Sequence, residues 1–162
     1  MAVASAAFAP ARSRAYKAAF WGGLLAGVFD ITYACVSQAL RGRGPVWTLQ
    51  SVASGWLGAQ AFRGGLGAAA LGLVSHFMIA FGAAAVYYAA SRKLRVLVRH
   101  AVVCGLLYGI AVFLFMSYVV VPLSAAPFRF PFTLAVLTRG FISHALLVGL
   151  PIALAVRRYA RE

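Results

Sequence analysis

Four ionisable side chains stand inside stretches otherwise suited to lipid: Asp30, His76, Arg139 and His144. A charge at the centre of a membrane-spanning helix costs about 2.5–3.5 kcal/mol on insertion scales, so such residues are rare and mark function by default. The only other acid in the chain is Glu162, and Arg139 is the one fixed cation within the apolar runs. An ionised carboxylate taken out of water needs a partner. The expected arrangement is therefore a buried Asp30–Arg139 pair with His76 and His144 beside it, a cluster able to hold or relay a proton. A blander use of the same residues is helix glue, for which polar contacts in lipid contribute about 0.6 kcal/mol each. A lone histidine on a small-residue face is also more often a hydrogen-bonded packing residue than a ligand.

Other chemistry is poorly supplied. The sequence has no CxxC, HExxH, Walker loop or GxSxG, so no catalytic residue, metal or cofactor is assigned. Gly64-Gly65-x-Gly67 reads as a turn, with no strand ahead of it to make a nucleotide fingerprint. Cys35 and Cys104 fall near opposite ends of different apolar runs and cannot pair.

The elements that must position these groups follow from composition. Of 162 residues, 64% are hydrophobic and only 10% charged, against about 25% charged in soluble domains; mean hydropathy is +0.90. Four runs, approximately Ala18–Leu40, Leu66–Ala90, Ala101–Val121 and Phe132–Val156, are each long enough to cross a hydrocarbon layer of about 30 Å. None shows the alternation of a membrane β-strand, so helix is the expected state. The fold class is thus all-α, a polytopic bundle of four transmembrane helices in a single membrane domain.

The net charge of +13 sits in short clusters between the spans. That placement argues against nucleic acid as a partner and for the lipid bilayer. With both termini inside, ten cations lie on the inner side (Arg12, Arg14, Lys17, Arg92, Lys93, Arg95, Arg99, Arg157, Arg158, Arg161) and four outside (Arg41, Arg43, Arg63, Arg129). This is the bias that sets orientation in membranes. Met1–Lys17 reads as a cytoplasmic tail. A signal peptide is disfavoured, because the run behind it exceeds an h-region of about 7–15 residues. Residues 45–62 carry Gln50, Ser51, Ser54 and Gln60, poor content for a fifth span. Pro45 suits a helix start and Trp47 and Trp56 suit headgroups. This segment is read as an interfacial or re-entrant helix on the outer side.

At about 1.5 Å per residue, Asp30 and His76 lie about 15 Å from the outer ends of their spans, Arg139 about 12 Å and His144 about 20 Å. All four share one band around mid-membrane. Each sits on a small-residue face, with Gly23, Gly27 and Ala34 around Asp30 and Gly72 and Ala80 around His76. Span three carries Gly105-x-x-x-Gly109. Small faces let helices approach closely in lipid. The aromatic runs Phe113, Phe115, Tyr118 and Phe128, Phe130, Phe132 read as lipid-facing or interfacial surface.

Gly22-Gly23 ahead of Asp30, the Gln50–Gly55 segment, His76, and Pro122-Leu123 after span three make the chain resemble small bacterial inner-membrane proteins of the YagU-like kind, over most of residues 18–156. The resemblance implies a bacterial inner-membrane location and transfers no functional residue. Three functions stay open. One is a small transporter or channel, expected as a homo-oligomer because four spans leave little room for a cavity. The second is a non-catalytic accessory or scaffold protein docking a membrane partner. The third is a redox protein with a b-type haem between His76 and His144.

Overall fold

The computed structural model describes residues 8–160, with side chains from 15 to 159. Every element among them is helical, as expected where the backbone must satisfy its own hydrogen bonds. Four helices are long and apolar enough to cross a membrane: Ala15–Ala39, Gly65–Lys93, Ala101–Leu123 and Leu134–Tyr159. We label the elements α1 (Phe8–Ala39), α2 (Pro45–Leu57), α3 (Gly65–Lys93), α4 (Val96–Arg99), α5 (Ala101–Leu123) and α6 (Leu134–Tyr159). The spans match the sequence reading to within a few residues. Helix α1 starts at Phe8, well ahead of Ala18, so much of the stretch read as a tail is helical; Met1–Ala7 lie outside the described residues.

Successive spans run antiparallel. On α1, Gly23 and Gly27 receive the rings of Phe81 and Phe77 from α3, and Gly22 faces Ile152 and Ala155 of α6. Helices α5 and α6 meet backbone to backbone. A Cβ on Gly109 would overlap the carbonyl of His144, and one on Gly149 would overlap Gly105 and Gly109. Dispersion between closely apposed backbones is what holds helices together in lipid, where there is no hydrophobic drive.

The order around the bundle is therefore α3, α1, α6, α5. The ring closes only at the end that carries the termini and α4. There Tyr108 donates to the Ala83 carbonyl at 2.8 Å, Tyr87 donates to the Leu97 carbonyl at 3.0 Å, and the two rings meet edge-on at 4.9 Å. The tightest core, including Ala18, Ala84, Tyr87, Ile152 and Val156, lies at this same end. Beyond it α3 and α5 diverge.

Helix α2 has 13 residues, about 20 Å at the α-helical rise and too short to cross. It starts and finishes on the side where α1 ends and α3 begins, turning back through a 3-10 turn at Gly58–Arg63. It packs along α3 because Gly72 leaves room for the Leu49 carbonyl, which any Cβ there would strike. Gln50, buried, donates to the Gly65 carbonyl at 3.0 Å. At the rim Trp47 stacks on Phe62 at 5.3 Å and the Arg43 guanidinium lies 4.1 Å over Trp47.

Two spans are not uniform. A π-turn occupies Met116–Val120 in α5 and another Ala145–Gly149 in α6. Each is followed by a proline, Pro122 and Pro151, whose missing N–H and bulky ring disturb the ladder one turn back. Pro122 was expected to end span three, yet the helix continues to Leu123.

Candidate functional site

The gap between α3 and α5 is a cavity of about 770 Å³, within the range of small-molecule sites. Ala83, Ala80 and Ile79 of α3 form one wall, and Val112, Phe113, Met116 and Ser117 of α5 face them. At the back, Asp30 of α1 and His144 of α6 project from the two helices that lie between. Ile79, Phe115 and Val119 are exposed as well as lining. They belong to the middle of α3 and the half of α5 nearer α2, so the cavity opens sideways, toward lipid in a bilayer.

The roof is built from α2 and the segment after α5. Ser51, Val52, Gly55 and Trp56 reach the cavity from α2, and Ser124 and Ala126 from the segment. The two are joined by a main-chain bond from Ala125 N–H to the Gly55 carbonyl at 3.0 Å. Arg129 holds the segment in shape, donating to the carbonyls of Ala126, Phe128 and Pro122 at 2.8, 2.7 and 3.2 Å. Trp56 Nε1–H donates to Ser75 Oγ at 3.1 Å, and Ser75 donates on to the Leu71 carbonyl at 2.7 Å.

Three of the four ionisable residues singled out by sequence meet here. Asp30 Oδ1 faces His144 Nε2 at 4.0 Å, with the two side chains 22% and 23% exposed. His144 Nδ1 lies 3.2 Å from both Ser143 Oγ and the Gly140 carbonyl. With a hydrogen on Nδ1 it donates to the Gly140 carbonyl, and Nε2 faces the carboxylate across 4.0 Å. With Nδ1 accepting from Ser143, the Nε2–H points at Asp30. The ring is steadied by Phe113, whose centroid is 5.2 Å away and which fills the space over Gly140. His76 lines the same cavity, and its Nε2–H donates to the Gly27 carbonyl of α1 at 2.9 Å.

Arg139 does not join them. It is exposed, its Nε donates to the Ala135 carbonyl at 3.4 Å, and it lines a separate groove on the other face of the α1–α6 pair. Sequence depth placed it level with Asp30; the rotation of α6 turns it away. The expected Asp30–Arg139 pair is therefore replaced by Asp30–His144. The consequence is electrostatic: among the described residues the cavity holds one carboxylate and no fixed cation.

Phe113 also departs from expectation. Read as lipid-facing, it is 5% exposed and packs on Gly140 and His144. Phe115, Phe130 and Phe132 are exposed as expected, and Phe115, Phe128 and Phe130 also line the cavity. Ser117 and Trp56 were not singled out as cavity residues; the prolines behind the π-turns were the available signal, since π-turns favour functional sites. Among the described residues no set of three His, Cys, Asp or Glu is placed to hold a metal ion. A haem between His76 and His144 would have to displace the contacts that both Nε2 atoms already make.

These features define a polytopic α-helical membrane protein, a four-span bundle with an added helix that enters and leaves on one side. Searches against protein-family models, curated proteins and solved structures found no match.

Proposed function

We propose that the chain is a small transporter in which a lipid-soluble cation and a proton compete for Asp30. The single observation that carries this reading is the Asp30–His144 contact at 4.0 Å in the wall of an apolar, laterally open cavity. A carboxylate there needs a counter-charge. A proton carried by the Asp30–His144 pair supplies it in the resting state. An amphipathic cation entering from lipid supplies it in the loaded state, with the proton leaving to water. The cavity walls, apolar except for Asp30, His76, His144 and a few hydroxyls, suit the body of such a ligand.

The volume within one chain removes the reason for expecting an oligomer. The scaffold reading would dock a partner on the small-residue faces or on the segment 45–62; of these, Gly23, Gly27, Gly105 and Gly109 pack against the chain's own helices. The division of cations between the two ends of the bundle supports cytoplasmic termini, with α2 and the cavity roof on the outer side. The YagU-like resemblance supports a bacterial inner membrane.

The test uses purified protein in detergent and tetraphenylphosphonium as the probe. Wild-type protein should bind it with release of protons to a weakly buffered medium. Asp30→Asn should lose both, and Arg139→Gln should keep both. Equal binding by wild type and Asp30→Asn overturns the reading. In proteoliposomes the same probe should move when a pH gradient is imposed, and wild-type flux no greater than that of Asp30→Asn also refutes it.

A further inference from the structure

The groove that holds Arg139 is a second site, independent of the cavity. It encloses about 740 Å³ between Tyr33 of α1 and the face of α6 formed by Leu134, Thr138, Ile142, Leu146 and Leu147. Ile142 and Leu146 are exposed. Five residues into α6 stands Arg139, the one fixed positive charge among the described residues that line this apolar slot. An unpaired cation facing hydrocarbon is expensive, and long side chains relieve it by reaching for the nearest interface. The Nε contact to Ala135 shows that direction of reach: it is one turn toward the start of α6, the end on the α2 side. The reach is toward the interface at the start of α6, about 7.5 Å away along the helix, and the two Nη groups find no acceptor among the described residues.

The surroundings favour an anion. The first-turn amides of α6 have no partner upstream within the helix, and they direct the positive end of the helix dipole at the same place. Thr133 caps only Val136 N, at 3.4 Å. Thr138 presents a hydroxyl one residue from Arg139. From Leu134 to Leu146 the slot runs about 18 Å along the helix, close to the depth of one leaflet, which is half of about 30 Å. Arginine favours bidentate contacts with phosphate. We propose that the groove holds one anionic phospholipid from the leaflet on the α2 side. Its phosphate lies on Arg139 and the start of α6, and one acyl chain lies against Ile142, Leu146 and Leu147.

Retained lipid distinguishes this site from the ordinary lipid annulus. Protein purified in mild detergent is exchanged into mixed micelles of phosphatidylglycerol and phosphatidylcholine in equal amounts. The lipid that stays bound is then counted by native mass spectrometry. Wild type should retain about one phosphatidylglycerol per chain in preference to phosphatidylcholine. Arg139→Gln should weaken that preference about fivefold, as loss of one basic side chain near a lipid surface does. Ile142→Trp, which fills an exposed position in the slot without touching the charge, should lower occupancy while leaving the thermal midpoint in lipid-free detergent unchanged. Arg41→Gln, a cation in the loop on the same side, should change nothing. Equal retention of the two lipids by wild type, or an unchanged preference in Arg139→Gln, overturns the assignment.

Discussion

A double-mutant cycle separates the ion pair seen in the structure from the one that charge alone suggests. The perturbations are Asp30→Asn and His144→Leu, alone and together, with Arg139→Gln substituted for the second change in a parallel cycle. Asn and Leu cannot hydrogen-bond to each other, so the combined variant introduces no new contact. The separation of 4.0 Å brackets the magnitude. Two unit charges at about 4 Å interact by about 1 kcal/mol in water and about 4 kcal/mol at an effective dielectric of about 20. Both side chains retain roughly a fifth of their surface, and a partly exposed pair is screened toward the lower figure. Cycles within membrane proteins average about 0.6 kcal/mol and reach about 1.7. The expected coupling for Asp30–His144 is therefore about 1 kcal/mol. For Asp30–Arg139 it should be indistinguishable from zero, because Arg139 lies on the other face of α6. The assay is reversible unfolding in mixed micelles of mild detergent and sodium dodecyl sulphate, followed by far-UV circular dichroism. Coupling larger for Asp30–Arg139 than for Asp30–His144 would refute the arrangement of α6.

Three further outcomes follow from the packing. Gly149→Ala should destabilise by about 1–3 kcal/mol in the same assay. Its Cβ meets the backbone of α5, which cannot rotate aside, whereas Gly82→Ala, with nothing within 4 Å, should be neutral or gain up to about 1 kcal/mol. Tyr108→Phe should cost about 1 kcal/mol through loss of its 2.8 Å bond to Ala83; an unchanged unfolding midpoint would show that this bond does not close the base of the cavity. Arg129→Ala should speed amide exchange over residues 124–130 only, read by mass spectrometry, since the guanidinium makes three carbonyl contacts there.

The spans were legible because insertion depends on summed local hydropathy, which a run such as Ala101–Val121 carries by itself. The α2 segment was legible for the same reason in reverse: Gln50, Ser51 and Ser54 make it too polar to cross, and in the structure Gln50 and Ser54 are buried against the chain. Depth along a span was legible too, since it needs only the helical rise. Rotation about the helix axis was not. In water an amphipathic helix declares its inner face, but in lipid both faces are apolar and the pattern is silent. Hence Phe113 was placed outward and Arg139 inward, each the reverse of what is found. The π-turns add to this. One extra residue per turn swings everything beyond it by about 100° relative to a regular α-helix, and the α6 turn begins directly after His144. Gly105, Gly109 and Gly149 hinted at a close crossing, but a glycine spacing does not name its partner helix.

The bond between Ala125 and Gly55 is made by main chain on both sides. No exchange at Gly55 removes its carbonyl, and at Ala125 only proline removes the donor, whereas Val52, Ile79, Val119 and Phe130, which shape the cavity beneath, are free to vary in bulk. The cover and the shape of the cavity are thereby carried by different parts of the polypeptide. Such a division lets the shape of the cavity drift under mutation while the cover over it stays in place.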